Sequence, residues 1–462
     1  MSVIVQKFGG TSIGTGERMA HVAGIIADTL TRHQVVAVVS AMSSEIKAEG
    51  TTSLLLESAS LAVAGEPFDV PLKRVRDNHL SSVVQAVPDA ELQAETQAII
   101  EREIKWLEGF LDAISVIREL SPRSQDILLA TGERLSACML TATLRARGIP
   151  AEMVDLVQVV PDSEHEVTPA FYSRLQGLLG ERCRPSETRV PIVTGFVGLV
   201  PGGLLRAVGR GYTDFTAAMI SAGLGREQTE EMQVWKEVDG IFSADPRKVP
   251  NARVLPFISP AEASELTYFG SEVLHPFTME RVVGARIPIR IKNTFNPEGE
   301  GTVILYEERP EDNRDTAVTA VTAKRSITTF TVNSNRMYNA HGFMARVFKV
   351  LEDYQVNVDL IATSEVSISC TVDRQEELTR ALGALEQLGT VSMTPGRAIL
   401  AMVCEGMKYA VGTAGKMFST LGNDGINIEI ISQGASEINI SCVIKEDDVE
   451  KALQAIHKAF LE

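Results

Sequence analysis

Near its start the chain reads VIVQKFGGTS over residues 3–12. A short apolar run leads into Lys7, two glycines and two hydroxyl side chains. Glycine lets backbone N–H groups approach an anion closely, and lysine supplies a compact positive charge. The spacing matches neither the P-loop pattern nor G-x-G-x-x-G. The stretch therefore predicts a strand followed by a phosphate-binding loop, although a Gly-Gly pair after a strand is also common in plain turns.

The composition is that of an acidic globular protein with more than one domain. With 462 residues the chain is too long for one core. The net charge of -16 argues against nucleic acid or an anionic membrane as the main partner. Its five cysteines are scattered and contain no C-x-x-C pair, which is typical of a reducing cytoplasm. We expect a cytoplasmic protein with no signal peptide, no membrane segment and no metal site of its own.

The first 306 residues alternate between strand and helix patterns. Residues 3–8 and 35–40 read as buried parallel strands on either side of a helix. Residues 53–147 are mostly helical in pattern, and strand-like segments return from Ala151 onward. The helix that opens with Ser259, Pro260 and Glu262 has the signature of a capping box. This order predicts one large α/β domain over residues 1–306 with a central, mostly parallel sheet flanked by helices.

An internal repeat follows a charged segment, residues 307–325, which we interpret as a linker. Matched residues lie 70 positions apart, so chance is a poor explanation. Each copy reads as strand, helix, strand, strand, helix. We therefore predict two small α+β modules, residues 326–396 and 397–462, which pack together, exchange strands and bind a small ligand. The matched pairs are Gly342/Gly412, Phe348/Phe418, Leu351/Leu421, Asn357/Asn427, Asp359/Glu429 and Ile361/Ile431.

Four further segments combine glycine, hydroxyl and charged side chains. Gly209–Asp214 precedes an apolar helix and predicts a second anion site. Residues 235–248 run from a strand into a charged loop. This pattern is found at the rim of nucleotide sites, but an ordinary charged surface turn has the same pattern. Thr51–Ser53 precedes a helical segment, where helix capping is the simpler interpretation. Thr131–Arg134 is interpreted as the start of a helix, where a glutamate is usually a solvated carboxylate that the helix dipole favours.

Taken together, these motifs resemble aspartate kinase (aspartokinase). The resemblance spans essentially the whole chain in the family's order, and it is most similar to the fungal branch. It implies an amino-acid kinase fold followed by two ACT-like domains. It also implies transfer of the γ-phosphoryl group of ATP, with Mg²⁺, to the β-carboxylate of L-aspartate. Such a reaction needs no general base, because a carboxylate with a pKa near 4 is already ionised.

The resemblance also implies roles for individual residues. Lys7 and Asp214 would be catalytic, and an amino-acid effector, lysine or threonine, would bind the ACT domains. A homodimer or higher oligomer would form through those domains. The implied ATP-binding residues are Lys7, Gly9, Gly10, Ser40, Lys236, Glu237, Phe242 and Arg247; the aspartate-binding residues are Thr51, Thr52, Glu133, Arg210 and Thr213; the effector residues are His341, Phe343, Asn357, Asp359, Thr363 and Ser364.

One residue departs from the family pattern. Many bacterial relatives carry lysine where this chain has Glu272. A negative charge cannot contact phosphate as lysine does, so we expect Lys236 to supply the positive charge. The effector and the pathway served, whether lysine, threonine and methionine or a product such as ectoine, stay open. Two alternatives also stay open, namely a catalytically silent amino-acid sensor and a kinase for another acid such as glutamate or N-acetylglutamate.

Overall fold

In the computed structural model the chain forms two compact units. The first consists of Met1–Ile241 and Leu274–Tyr306, and the second of Phe242–Val273 and Glu307–Glu462. The described residues are all those outside 45, 162–163, 205–207, 209–210, 271–273, 275, 306–317, 335–340, 406, 408–409 and 435–437, with the side chains of 276–277 also left aside.

The described strands and helices follow one another in this order. The strands are β1 (Val3–Phe8), β2 (Gln34–Val39), β3 (Ala151–Val154), β4 (Val190–Thr194), β5 (Thr229–Lys236), β6 (Phe257–Ile258), β7 (Ile289–Asn293), β8 (Thr302–Ile304), β9 (Ala320–Ser334), β10 (Ile361–Thr363), β11 (Ser367–Val372), β12 (Gly389–Val403), β13 (Ile430–Ser432) and β14 (Asn439–Lys445). The helices are α1 (Gly16–Leu30), α2 (Thr51–Ala64), α3 (Asp69–Ala86), α4 (Ala90–Ile117), α5 (Pro122–Arg145), α6 (Pro169–Arg182), α7 (Tyr212–Leu224), α8 (Pro260–Tyr268), α9 (Pro276–Gly284), α10 (Phe343–Asp353), α11 (Gln375–Glu386), α12 (Thr413–Asn423) and α13 (Val449–Leu461).

The first unit is built on a sheet whose strands run in the order β3-β4-β2-β1-β5-β7-β8. All pairings from β3 to β7 are parallel, and β8 runs antiparallel to β7. β1 is buried along its whole length, as its apolar run predicts. The chain first moves from β1 to β2 on one side and later returns to β5 on the other. This reversal makes the carboxyl ends of β1 and β5 a topological switch point, where α/β sheets bind ligands.

Helices pack around this sheet, and most residues of the long helix α5 are buried. Its length and composition would suffice to cross a membrane, but 89% of its apolar window is buried inside the protein. It is therefore a core helix. The predicted helical region 53–147 is confirmed as α2–α5, and the predicted fold class is confirmed by the parallel sheet.

The second unit contains a six-stranded antiparallel sheet among its described residues, in the order β10-β11-β9-β12-β14-β13. β9 and β12 pair along nearly their full lengths, and Ile327 lies opposite Arg397 near the middle. The first half of β9 lies beside the second half of β12, so each long strand serves both modules. Separate hydrophobic clusters fill the modules, one around Phe330, Val347 and Leu378 and the other around Leu400, Met417 and Leu453.

The internal repeat is visible in matching local geometry. Gly342 and Gly412 precede α10 and α12 with φ of 77° and 87°, a conformation that favours glycine. The backbone N–H of Asp359 donates to Thr371 O at 3.0 Å, and that of Glu429 donates to Val443 O at 2.9 Å. The predicted order of strand, helix, strand, strand, helix is thus observed in both copies.

Two boundaries differ in detail from those predicted from sequence. β9 begins at Ala320, so the last six residues of the predicted linker belong to a strand, because Val321 and its neighbours pack in the core. Residues 242–273, which the sequence places within the α/β domain, group with the second unit. The predicted capping box is present, since Ser259 and Glu262 each bond the other's backbone.

Candidate active site

The phosphate-binding candidates lie at the carboxyl end of β1. Lys7 is the second-last residue of that strand, and Gly9 and Gly10 follow it directly. A Cβ on Gly10 would overlap the carbonyl oxygen of Ala41, so the loop can close onto the chain after β2 only with glycine there. A Cβ on Gly9 would meet the Lys7 ammonium at 3.8 Å. The backbone of the loop therefore lies beside the lysine charge.

Lys7 forms an ion pair with Asp214. The Lys7 Nζ lies 2.8 Å from Asp214 Oδ1, and the two side chains are 10% and 12% exposed. Asp214 lies in the first turn of α7, where the helix dipole favours a carboxylate. Gly211 caps that helix with φ of 98°, a value that favours glycine. Two residues separated by most of the first unit's sequence thus meet as a nearly buried charged pair.

A buried carboxylate, Glu133, lies beside this pair. It is 1% exposed and lies in the interior of α5, so the prediction of a helix start at Thr131 with a solvated glutamate is wrong, because the helix already begins at Pro122. The Thr213 hydroxyl donates to Glu133 Oε1 at 3.2 Å, and the Ser40 hydroxyl donates to Thr213 Oγ1 at 2.9 Å. Burial raises the pKa of Glu133 to about 8, although hydrogen bonds from Thr213 and Tyr212 oppose the shift. An amine placed against this carboxylate would restore its charged form.

Thr51 and Thr52 begin α2, close to the same region. Thr51 is buried, and a Cβ built on Gly132 would lie 3.0 Å from its methyl group. Thr52 is half-buried. Thr51, Glu133 and Thr213 are therefore brought together as predicted neighbours. Arg210, the cation predicted for the substrate's α-carboxylate, lies outside the described residues, as does Glu272.

The nucleotide candidates of the first unit lie at the carboxyl end of β5. Lys236 ends the strand and is half-buried, and Glu237 follows it and is exposed. Glu237 Oε1 accepts a 3.5 Å hydrogen bond from Ser12. Asp239 accepts bonds from the amides of Asn293 and Asn296, each at 3.0 Å, and these bonds lower its pKa.

Two other predicted nucleotide residues belong to the second unit. Phe242 is half-buried and pairs with Val254 in an isolated bridge. Arg247 is exposed, and its guanidinium makes two 3.0 Å bonds to Asp245 within its own loop. The structure thus groups Lys7, Ser40, Lys236 and Glu237 in one unit and these two residues in the other.

The predicted effector residues fall into three groups. His341, Asn357, Thr363 and Ser364 are exposed, and Ser364 shapes the turn between β10 and β11 by bonding Ser367. Phe343 is 7% exposed and packs in the hydrophobic cluster of the first module.

Asp359 stands apart from the other predicted effector residues, because it is a carboxylate whose side chain is only 6% exposed. It lies 2.8 Å from Lys324 Nζ and accepts a 3.1 Å bond from Tyr268 Oη. Sequence reasoning missed Lys324 and Tyr268, because neither forms part of a motif.

Sequence reasoning also missed Thr294, which follows β7 and is 1% exposed. Its hydroxyl donates to Ser12 Oγ at 3.0 Å, and its backbone N–H donates to Lys236 O at 2.8 Å. The available signal was the group of polar residues Asn293, Thr294 and Asn296 at the end of a buried strand. Such a group reads first as an ordinary turn.

Comparisons with known proteins agree with this architecture. The model of the amino acid kinase family matches residues 2–293, and the ACT domain model matches residues 330–388 and 400–460. The aspartokinase of Schizosaccharomyces pombe is 43% identical over 486 residues, covering 99% of this chain and 93% of the relative. That of Saccharomyces cerevisiae is 43% identical over 496 residues, covering 99% and 92%.

Solved structures of aspartokinases share the whole fold. Escherichia coli aspartokinase III in complex with aspartate and ADP has a TM-score of 0.78 at 28% identity, covering 100% of both chains. The aspartate kinase of Clostridium acetobutylicum has a TM-score of 0.79 at 27% identity, covering 99% of this chain and 100% of its own. By its sequence, its sheet topology and its paired ACT modules, this chain belongs to the aspartokinases of the amino acid kinase family.

Proposed function

We propose that the chain is an aspartate kinase that transfers the γ-phosphoryl group of MgATP to the β-carboxylate of L-aspartate, giving 4-phospho-L-aspartate. The observation that carries this proposal is the Lys7–Asp214 pair at the switch point, beside the buried Glu133. Phosphoryl transfer to a carboxylate needs alignment and positive charge rather than a base.

Each substrate group has a partner of suitable chemistry. Lys7 and the N–H groups of Gly9 and Gly10 would stabilise the transferring phosphoryl group, and Asp214 would orient Lys7. Glu133 would accept the aspartate ammonium, and Arg210 would pair with its α-carboxylate. Mg²⁺ would enter with ATP as part of the substrate and neutralise phosphate charge.

The remaining ATP and aspartate contacts rest on the same family pattern. Ser40, Lys236 and Glu237 would contact ATP, together with Phe242 and Arg247. Thr51, Thr52 and Thr213 would add hydroxyl contacts to aspartate.

We also propose that an amino acid regulates the enzyme at the ACT modules. The E. coli enzyme has been solved with lysine and aspartate, and in this chain the buried Asp359 offers a carboxylate for an ammonium group. We propose a cytoplasmic homo-oligomer formed through these modules. Ile361 and Ile431, repeat-equivalent residues on the outermost strands, are 41% and 50% exposed, which favours a covering partner.

The test is ADP formation measured with purified protein, MgATP and a panel of acceptors. We expect turnover with L-aspartate and little with glutamate, N-acetylglutamate or no acceptor. Lysine and threonine are then titrated into the aspartate reaction. Turnover with another acid would assign another amino-acid kinase. Effector binding without turnover would assign a silent sensor.

A further inference from the structure

The turn behind β7 holds the loop behind β5 through its backbone. The Thr294 N–H donates to Lys236 O at 2.8 Å, which extends the pairing of β5 and β7 by one residue beyond the end of β7. The Thr294 carbonyl in turn accepts a 2.6 Å bond from His21 on α1. Both backbone groups of Thr294 are thus used to fix the position of its side chain.

Two buried hydroxyls then connect this turn to Glu237. Thr294 Oγ1 donates to Ser12 Oγ at 3.0 Å, and Ser12 Oγ donates to Glu237 Oε1 at 3.5 Å. Thr294 and Ser12 are 1% and 0% exposed, whereas Glu237 is exposed. A chain of hydroxyl donors thus leads from a buried turn to Glu237, the member of the chain that faces solvent.

The same turn holds the next acidic residue of the loop. Asn293 and Asn296 both donate to Asp239 Oδ1 at 3.0 Å. The Asn293–Asn296 turn therefore contacts the loop at Lys236, at Asp239 and, through Ser12, at Glu237. Only the contact through Ser12 orients a side chain that we assign to the nucleotide.

We propose that Thr294 and Ser12 are positioning residues of the nucleotide site, which hold the Glu237 carboxylate in its binding orientation. The inference rests on the proposed function, because Glu237 is assigned to the nucleotide there. Neither hydroxyl needs to touch ATP. They restrict the conformations of the exposed Glu237 side chain before the nucleotide binds, which lowers the entropy cost of binding. Removing either hydroxyl should therefore weaken nucleotide binding.

The experiment compares Thr294→Val with Thr294→Ser. Valine keeps the size and the backbone bond to Lys236 but removes the hydroxyl, whereas serine keeps the hydroxyl. We expect Thr294→Val to raise the Kd for ADP and the KM for ATP about five- to tenfold. The KM for aspartate should stay within about twofold, and Thr294→Ser should resemble the wild type. Ser12→Ala should match Thr294→Val, and the double variant should be no worse than either, since both act through one chain.

The binding of ADP separates this inference from the proposed function. If the wild-type protein binds ADP but does not phosphorylate aspartate, the proposed reaction is wrong. The positioning role is still supported in that case if Thr294→Val weakens ADP binding. An unchanged Kd for ADP in Thr294→Val overturns the inference whatever the acceptor. Equal losses of ADP binding in the valine and serine variants, or an equal rise in both KM values, would mark Thr294 as a purely structural residue and would also overturn it.

Discussion

At the scale of single residues, the Lys7–Asp214 pair combines a lysine that we propose as catalytic with an ion pair that supports the fold. Both side chains are nearly buried, so each charge depends on the other for compensation. Removing the lysine alone therefore leaves a carboxylate without its counter-charge. A single substitution of Lys7 would therefore change turnover and folding stability together, and the two effects could not be told apart.

A matched pair of variants separates them. We expect Lys7→Met to lower kcat by about a thousandfold, because the transferring phosphoryl group loses its cation. It should also lower the free energy of unfolding by about 3 kcal/mol. The Lys7→Met, Asp214→Asn double variant should regain most of that stability and stay inactive. Turnover assays and thermal melts check both, and a Lys7→Met protein that keeps wild-type turnover would refute the catalytic role.

Glu133 should make aspartate binding depend on pH. Its pKa of about 8 in the folded protein, against an ordinary 4.5, means that the free enzyme holds a proton there at neutral pH. In the proposed site the aspartate ammonium would pair with the carboxylate form, so the KM for aspartate should fall as pH rises towards 8, by up to about tenfold per pH unit. Glu133→Gln should bind aspartate weakly and remove this slope. A slope that survives in Glu133→Gln would assign the titration to another group.

The same shift has a consequence for stability. A carboxyl whose pKa is raised on folding stabilises the folded state fully below pH about 4.5, and this stabilisation is lost as pH rises through about 8. Thermal melts without ligand should therefore show Glu133→Gln gaining on the wild type as pH increases across that interval. An equal difference at both ends of the interval would contradict the assignment.

At the scale of elements, α8 is fixed to the second unit by one buried carboxylate. Glu262 is fully buried and accepts bonds from Ser259 N at 2.9 Å, Thr319 Oγ1 at 2.6 Å and Glu405 N at 3.0 Å. The capping box visible in the sequence explains the first bond. The other two join α8 to the segment before β9 and the segment after β12.

Loss of this carboxylate should destabilise the second unit. We expect Glu262→Ala to cost about 3 kcal/mol, since three donors lose their acceptor, whereas the exposed Glu386→Ala should change stability by less than about 0.5 kcal/mol. Both tryptophans, Trp106 and Trp235, lie in the first unit, so their fluorescence follows that unit while circular dichroism follows both. Urea unfolding should show the shift by circular dichroism. An unchanged dichroism midpoint would contradict the role.

Elements with a local signal were predictable, and contacts between distant segments were not. The α8 capping box and the buried run of β1 are written in neighbouring residues, so their structures match the predictions. The length of β9 and β12 could not be predicted in this way, because their pairing depends on segments about 70 residues apart. Thr294 escaped prediction for the same reason: its partner Ser12 lies 282 residues away in sequence.

At the scale of the whole molecule, the division into units cuts through a sequence motif. Lys236 and Glu237 belong to the first unit, whereas Phe242 and Arg247, a few residues later, belong to the second. A motif shows which residues are close in sequence, but a compact unit is defined by contacts that bring distant residues together. The chain itself joins the loop behind β5, which we propose as part of the nucleotide site, to the unit that contains the ACT modules. A regulatory change in the second unit thus has a covalent route to that loop.

Regulation should depend on Asp359 and the two groups that hold it. Lys324 and Tyr268 both engage its carboxylate, and Lys324 also lies 3.2 Å from Asp373. An effector ammonium must compete for this carboxylate, so Asp359→Asn should raise the inhibitory concentration of the effector at least about tenfold and keep uninhibited turnover within about twofold. Tyr268→Phe should instead lower the inhibitory concentration a few-fold, because the effector then has one hydrogen bond fewer to displace from the Asp359 carboxylate. Titration of lysine and threonine into the aspartate reaction, with Glu386→Gln as the control, checks both directions. Equal loss of inhibition and basal turnover in Asp359→Asn would show that the residue supports the fold rather than the effector.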